Sequence, residues 1–218
     1  MLKWIEDLRA PWPEVTDQGQ RSTCLALAMT TSHEHATGSA LSAEYLHWAT
    51  GSHPGGRGNP HAAGLALLRD GQPPNEQWPY SETTDDTVHG YGPAGTVIGP
   101  FSRRRADRTL TDVAAVIQEL RGGRWPVIAL RVTDAFAAAG SGIVLPDGPG
   151  RAGHAVLAVG ALTVLGKDLE PDLHDGDRLL CIRNSWGPGW GTAGHKLISE
   201  EALNECGIFS IVIDEVTP

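Results

Sequence analysis

Partway along this chain of 218 residues the hydrophobic pattern changes period, and that change restricts the fold more than any other feature. In the first half, apolar residues recur at helical spacing between polar turns. From Thr109 there is one more helical stretch, TLTDVAAVIQELRGG, and then a series of short runs rich in Val, Ile and Leu. These are WPVIALRV, GIVLP, HAVLAVGALTVL, RLLCIRNSW, HKLIS and IFSIVIDEV, bounded by Gly, Pro or Asp as strands are. Helices followed by strands predict an α+β architecture. The boundary falls near residues 102–110, giving a helical lobe over 11–105 and a β-rich lobe over 106–218.

Local signals divide the first half further. Ser22 and Thr23 are suitable caps for a helix that Gly38 ends, and Ser42 caps a second helix reaching Thr50. The Gly/Pro-rich loop GSHPGGRGNPH leads into an apolar helix, AAGLALLRD, that stops at Gly71. Residues 72–101 are rich in turns. The first 16 residues read as an irregular arm containing Pro11 and Pro13, and 161–178 as an inserted, exposed segment.

Charge and cysteine content remove several function classes. A formal net charge of −9 would repel a phosphate backbone, so no nucleic-acid partner is expected. The basic cluster Arg103-Arg104-Arg105, with Arg108, reads as a solvated loop. No stretch approaches the roughly 18 apolar residues that span a bilayer, and MLKWIEDLRAPWPE lacks the apolar centre of a secretory signal. No membrane association is expected, and the anticipated setting is the cytoplasm, with a bacterial source in keeping. Cys24, Cys181 and Cys206 are odd in number and without CxxC spacing, which predicts thiols in place of disulfides or a zinc site. His33 and His35 flank Glu34, but residues two apart on a helix point about 200° from each other, so a solvated face is expected there. GGRG at 55–58 lacks the Gly-Lys-Ser/Thr ending of a phosphate loop. The acidic run EPDLHDGD at 170–177 reads as an exposed loop, and Trp4, Trp12, Trp48, Trp78 and Trp125 as packing. No metal or other cofactor is expected.

Four residues carry a coherent chemistry. Cys24 begins a helix, where backbone N–H groups and the helix dipole favour the thiolate, although a cysteine in an apolar helix is more often packing. Gln18 lies six positions upstream across the Gly19 turn, so its segment can fold back and aim an amide N–H at whatever the sulfur attacks. His154 opens the strand AVLAVG, and Asn184 sits in NSWGPGWG, where polar residues and paired tryptophans interrupt an apolar run. An amide carbonyl accepting from one ring N–H would fix the tautomer and angle of an imidazole.

DQGQRSTC, GHAVLAVG and IRNSWGPGWGTAGHKLI, in that order, resemble the nucleophile, base and asparagine segments of the papain-like cysteine peptidases. LSAEYL, Gly55-Gly56, QWPYSE, PVIALRV and CGIFSIV are weaker matches between them. The resemblance implies a two-lobed fold, a helical N-terminal lobe and a β-barrel-like C-terminal lobe with the active-site cleft between. It makes Cys24 the nucleophile, His154 its base and Asn184 the orienting group. Gln18, with the Cys24 backbone N–H, becomes the oxyanion donor, and Trp186 the shield of the histidine–asparagine bond. Gly55 and Gly56 align with the edge that pairs with substrate backbone, and Leu130, Ala155 and Ile211 with the walls of an apolar pocket. This sequence departs from the family pattern at Leu25, usually Trp, and at Gly153, commonly Asp or Asn. The implied activity is peptide hydrolysis through a thioester at Cys24, with a peptide or protein as substrate. A transpeptidase, cyclase or peptide-maturation enzyme would use the same acyl-enzyme with an amine acceptor.

Overall fold

The structure is a computed structural model that describes residues 1–9, 14–50, 56–98, 101–109, 111–140, 142–166 and 172–215. The chain divides into two compact units: Asp17–Asp107 with Val212–Pro218, and Met1–Thr16 with Arg108–Ile211.

The first unit is built on three helices. In α1 (Cys24–Thr37), Leu25 to Met29 are all buried, so the helix is apolar on every side where it begins and amphipathic only later. Gly38 ends it in the left-handed conformation at φ 67°, its N–H donating to Glu34 O at 2.7 Å. The expected hydroxyl cap at its start is absent: Thr23 makes no side-chain cap bond, because its Oγ1 is 2.8 Å from the Tyr80 hydroxyl instead. Ser42 does cap α2 (Ala43–Ala49), accepting from Tyr45 N at 3.0 Å. Asn59 caps α3 (Pro60–Arg69), with Pro60 in the first turn, where its missing N–H costs nothing. A single 3-10 turn, Asn75–Gln77, interrupts the loop that follows.

One side chain ties this unit together. Gln72 is fully buried; its amide donates to Thr30 Oγ1 at 2.8 Å and to Ser42 O at 3.0 Å, and its Oε1 lies 2.7 Å from His33 Nδ1. An amide oxygen can only accept, so His33 carries its proton on Nδ1. The solvated face expected for His33 is therefore incorrect: the ring is buried, because Gln72 supplies the polar partner that makes burial tolerable.

The second unit is centred on a sheet. Its elements are β1 (Leu2–Asp7), β2 (Arg105–Thr109), α4 (Val113–Arg121), β3 (Val127–Arg131), α5 (Asp134–Ala137), β4 (Ile143–Val144), β5 (Gly153–Val164), β6 (Arg178–Arg183), β7 (His195–Ser199), α6 (Glu200–Cys206) and β8 (Gly207–Asp214). The strand order is β2-β8-β3-β5-β6-β7-β4, with β1 added to β5, and the chain passes between units within β2 and within β8. One edge of β5 is shared: β3 pairs antiparallel with Gly153–Leu157 and β1 with Gly160–Val164. Its other edge pairs with β6 from Leu157 to Thr163. Gly160 is required where β1 approaches, since a Cβ there would lie 2.8 Å from the Trp4 ring.

Three local expectations are corrected. The N-terminal residues are not an irregular arm, because Leu2–Asp7 finds a free stretch of β5 backbone to pair with; Pro11 and Pro13 lie outside the described residues. The segment 161–178 is not wholly an inserted loop, because β5 continues to Val164 and β6 starts at Arg178, with 167–171 outside the described residues. Arg105–Thr109 is a strand, not a loop, and its three charged residues among five, mostly exposed, suit a sheet edge; Arg108 lies 4.1 Å over the Phe209 ring. Residues 200–206, between two runs expected to be strands, form a helix capped by Ser199.

Burial holds the pKa of His33 down at about 4, a depression that Arg104 adds to and the Gln72 bond opposes. The unfolded chain then takes up the proton first, near pH 6.5, so stability is complete above that value and falls as pH drops from 6.5 towards 4. Urea melts across this window should show the midpoint falling. Gln72→Leu should lower stability by about 2–3 kcal/mol at pH 7, because it strands His33 Nδ1–H and Thr30 in the interior.

Candidate active site

Cys24 is the first residue of α1 and is half-buried. No acidic residue occupies the first turn of that helix, so nothing there opposes an anion at its positive end. The preceding turn is tightly specified. Asp17 Oδ1 accepts from Gly19 N at 2.9 Å, and Gly19 takes φ +59°, which a side chain would resist. Gln18 is buried and closes the turn on itself: Arg21 N donates to Gln18 O at 3.3 Å, and Gln18 Nε2 donates to Arg21 O at 2.8 Å.

In the sheet unit, His154 is the second residue of β5, with Leu130 of β3 as its cross-strand partner. Its Nε2 lies 2.6 Å from Asn184 Oδ1. The same oxygen accepts from Ser185 N at 2.8 Å. A backbone N–H can only donate, so the amide orientation is settled, and His154 Nε2 is the protonated nitrogen of the neutral ring. The lone pair is therefore on Nδ1. Asn184 follows β6 directly, and the turn after it needs its glycines: Gly191 sits at φ +61°, with a Cβ there only 2.2 Å from His195 O.

Aromatic rings enclose this pair. Trp186 lies 4.8 Å from the His154 ring, and Phe136 of α5 meets it edge-on at 5.8 Å. Phe136 also packs at 5.4 Å from Trp186 and 5.1 Å from Trp190. Its carbonyl accepts from Trp190 Nε1 and from Lys196 Nζ, both at 3.3 Å. Lys196 is buried, and burial lowers its pKa; its ammonium sits 4.7 Å over the Trp190 ring. Nothing in the sequence pointed to Phe136, which lies in the DAFA turn away from any motif. Lys196 stands at the end of the asparagine segment but reads there as an ordinary strand residue until the two are folded together. Burial lowers the His154 pKa to about 4, against the opposing effect of the Asn184 bond.

The remaining sequence candidates fall as follows. Gly55 lies outside the described residues, while Gly56 is half-buried in the segment before α3. Leu130, Ala155 and Ile211 all belong to the sheet, and are 0%, 4% and 2% exposed, so little of their surface is open to solvent. Cys181 and Cys206 are buried thiols, and burial raises the pKa of both, to about 12 for Cys181, which makes them poor nucleophiles. Among the described residues no group of His, Cys, Asp or Glu could hold a metal ion, and no helix is long and apolar enough to cross a membrane.

Trp186→Ala should admit water to the His154–Asn184 bond. In protein with blocked thiols, the His154 pKa should then rise from about 4 towards the ordinary 6.5, read from its ring C–H resonances.

Comparison with known proteins gives the same picture. The model of the papain family cysteine proteases matches residues 7–215. The fold is similar to that of the Carica candamarcensis cysteine protease CMS1MS2, solved in complex with E-64, with TM-score 0.73 and 22% identity over 97% of this chain and 98% of that one. It is also similar to xylellain, a cysteine protease from Xylella fastidiosa, with TM-score 0.72 and 21% identity over 100% of this chain and 88% of that one. Cathepsin J of Mus musculus is 41% identical over 51 residues, which span 23% of this chain and 15% of that protein. With a two-unit α+β fold, a buried histidine–asparagine pair and a family match over nearly its whole length, this chain belongs to the papain family of cysteine proteases.

Proposed function

We propose that this protein is a cysteine peptidase that cleaves peptide bonds through a thioester at Cys24. The observation that carries the reading is Asn184 Oδ1, shared between Ser185 N–H and His154 Nε2, because it leaves Nδ1 as the basic nitrogen of the ring. A packing histidine would gain equally from either tautomer; a general base needs one.

In this scheme His154 Nδ1 takes the Cys24 proton, and the thiolate attacks the substrate carbonyl carbon. The C–S bond forms while the carbonyl π electrons move onto oxygen, where the Gln18 amide and the Cys24 backbone N–H stabilise the charge. The oxyanion collapses, the C–N bond breaks, and the imidazolium returns its proton to the leaving amine. Water then attacks the thioester, His154 accepts its proton, and the acid departs with Cys24 restored. Asn184 holds the ring throughout, and Trp186 and Phe136 keep water from the bond that orients it. Leu130, Ala155 and Ile211, all apolar, are proposed to back a site for an apolar residue second from the scissile bond, with Gly55 and Gly56 at the substrate-backbone edge.

The low proton affinity of His154 makes the pair interdependent. A histidine held near 4 by burial is neutral at pH 7 unless an anion offsets that burial. A Cys24 thiolate is such an anion, so before substrate binds the imidazolium exists only while the thiolate does; in the tetrahedral steps the oxyanion takes its place.

An epoxide-type thiol reagent should label the wild type, and Cys24→Ala should abolish labelling of that position and peptide hydrolysis alike. The His154 ring should be protonated at pH 7 in the wild type and titrate near 4 in Cys24→Ala. Hydrolysis that survives Cys24→Ala would refute the assignment. A peptide library dominated by Arg or Glu second from the cleaved bond would refute the apolar preference.

A further inference from the structure

The turn before Cys24 contains a charged side chain that the proposed chemistry does not use. Arg21 lies between Gln18 and Cys24, is buried, and sends its guanidinium into the helical unit. It meets Glu44 of α2 in a two-pronged pair, with Nη1 to Oε2 at 2.7 Å and Nη2 to Oε1 at 2.6 Å. Nε reaches Asp86 Oδ2 at 3.2 Å, and Nη1 also donates to Ser81 O at 2.8 Å. His47 Nε2 lies 2.8 Å from the same Asp86 oxygen, and the Tyr91 hydroxyl donates to Glu44 Oε1. Burial opposes the Arg21 charge, but the hydrogen bonds and charge of Glu44 overcome it and raise the guanidinium pKa.

The same residue controls Gln18 from its other end. The Arg21 carbonyl accepts from Gln18 Nε2 at 2.8 Å, and the Arg21 N–H donates to Gln18 O at 3.3 Å. Tyr80, whose ring lies 5.1 Å from the guanidinium, donates its hydroxyl to Gln18 O at 3.1 Å and bonds Thr23 Oγ1 at 2.8 Å. An amide NH₂ is planar, so one N–H held by a fixed carbonyl sets the direction of the other. No disulfide is found among the described residues, so this turn owes its shape to non-covalent ties.

We propose that Arg21 is a positioning residue for the oxyanion donor: its buried ion pairs with Glu44 and Asp86 hold the carbonyl that orients the Gln18 amide. A guanidinium suits this task better than an ammonium, because its planar fork meets a carboxylate with two parallel bonds and resists rotation. The inference rests on the peptidase reading and adds how its oxyanion donor is set.

A double-mutant cycle tests it, with two readouts. Gln18→Ala should lower kcat by about 100-fold or more, as loss of one oxyanion donor does, with KM little changed. Arg21→Lys keeps the charge but loses the fork, and should lower kcat by about tenfold or more through the same donor. Once Gln18 is Ala, adding Arg21→Lys should cost almost nothing further. Alkylation of Cys24 by iodoacetamide forms no oxyanion, so its rate should be little changed in every variant. Should Arg21→Lys fail to fold, as judged by circular dichroism, Tyr80→Phe replaces it in the cycle with the same expectation. Effects that multiply in the double variant, or a matching fall in alkylation rate, would overturn the role of Arg21 while leaving the peptidase reading intact. Full hydrolysis in Cys24→Ala would overturn both.

Discussion

β5 is held on both edges along most of its length, and the sheet unit depends on that. β3 and β1 divide one edge between them, and β6 takes the other. A strand buried on both faces cannot slip by one residue without turning its side chains to the wrong side, so its register is fixed by packing. His154, near the start of this strand, is fixed by its pairing with Leu130 of β3 and by the register the rest of β5 imposes, and Asn184 stands at the end of the strand beside it. The 2.6 Å bond between them is then set by the sheet and not by the flexibility of either side chain.

A second constraint acts through several polar side chains that enter the interior together with their partners. Gln72 closes around Thr30, Ser42 and His33 in the helical unit, and Lys196 is satisfied by backbone carbonyls in the sheet unit. Arg21 with Glu44 is the most demanding case, since charges are costly to bury and fully useful only in good geometry. Both the turn before Cys24 and the aromatic shell around His154 are anchored this way, by a buried cation set against fixed oxygen acceptors.

Much of the fold was legible because its signals are local. Gly38 and Ser42 end or begin helices through bonds to backbone only a few residues away. The Val/Ile/Leu runs became strands because their burial is nearly continuous. What was misread depends on distant partners. Leu2–Asp7 is a strand only because β5 offers it an edge, and His33 is buried only because Gln72, 39 residues later, accepts a hydrogen bond from its Nδ1–H.

The candidate site divides along the same line. Its residue types and order were set by the sequence alone: thiol, amide, imidazole and second amide stand in short segments whose spacing is visible on one chain. Only the tertiary structure decided the state and surroundings of those groups. It put the His154 lone pair on Nδ1, because Ser185 N–H claims the same oxygen, and enclosed the ring with Phe136 from a turn that carries no motif. It also linked Arg21 to Glu44 and Asp86, 23 and 65 residues away, so that an unremarked arginine shapes the turn before Cys24. Burial and charge pairing between distant segments have no signature in a linear sequence, because they arise only when packing removes water from both partners at once.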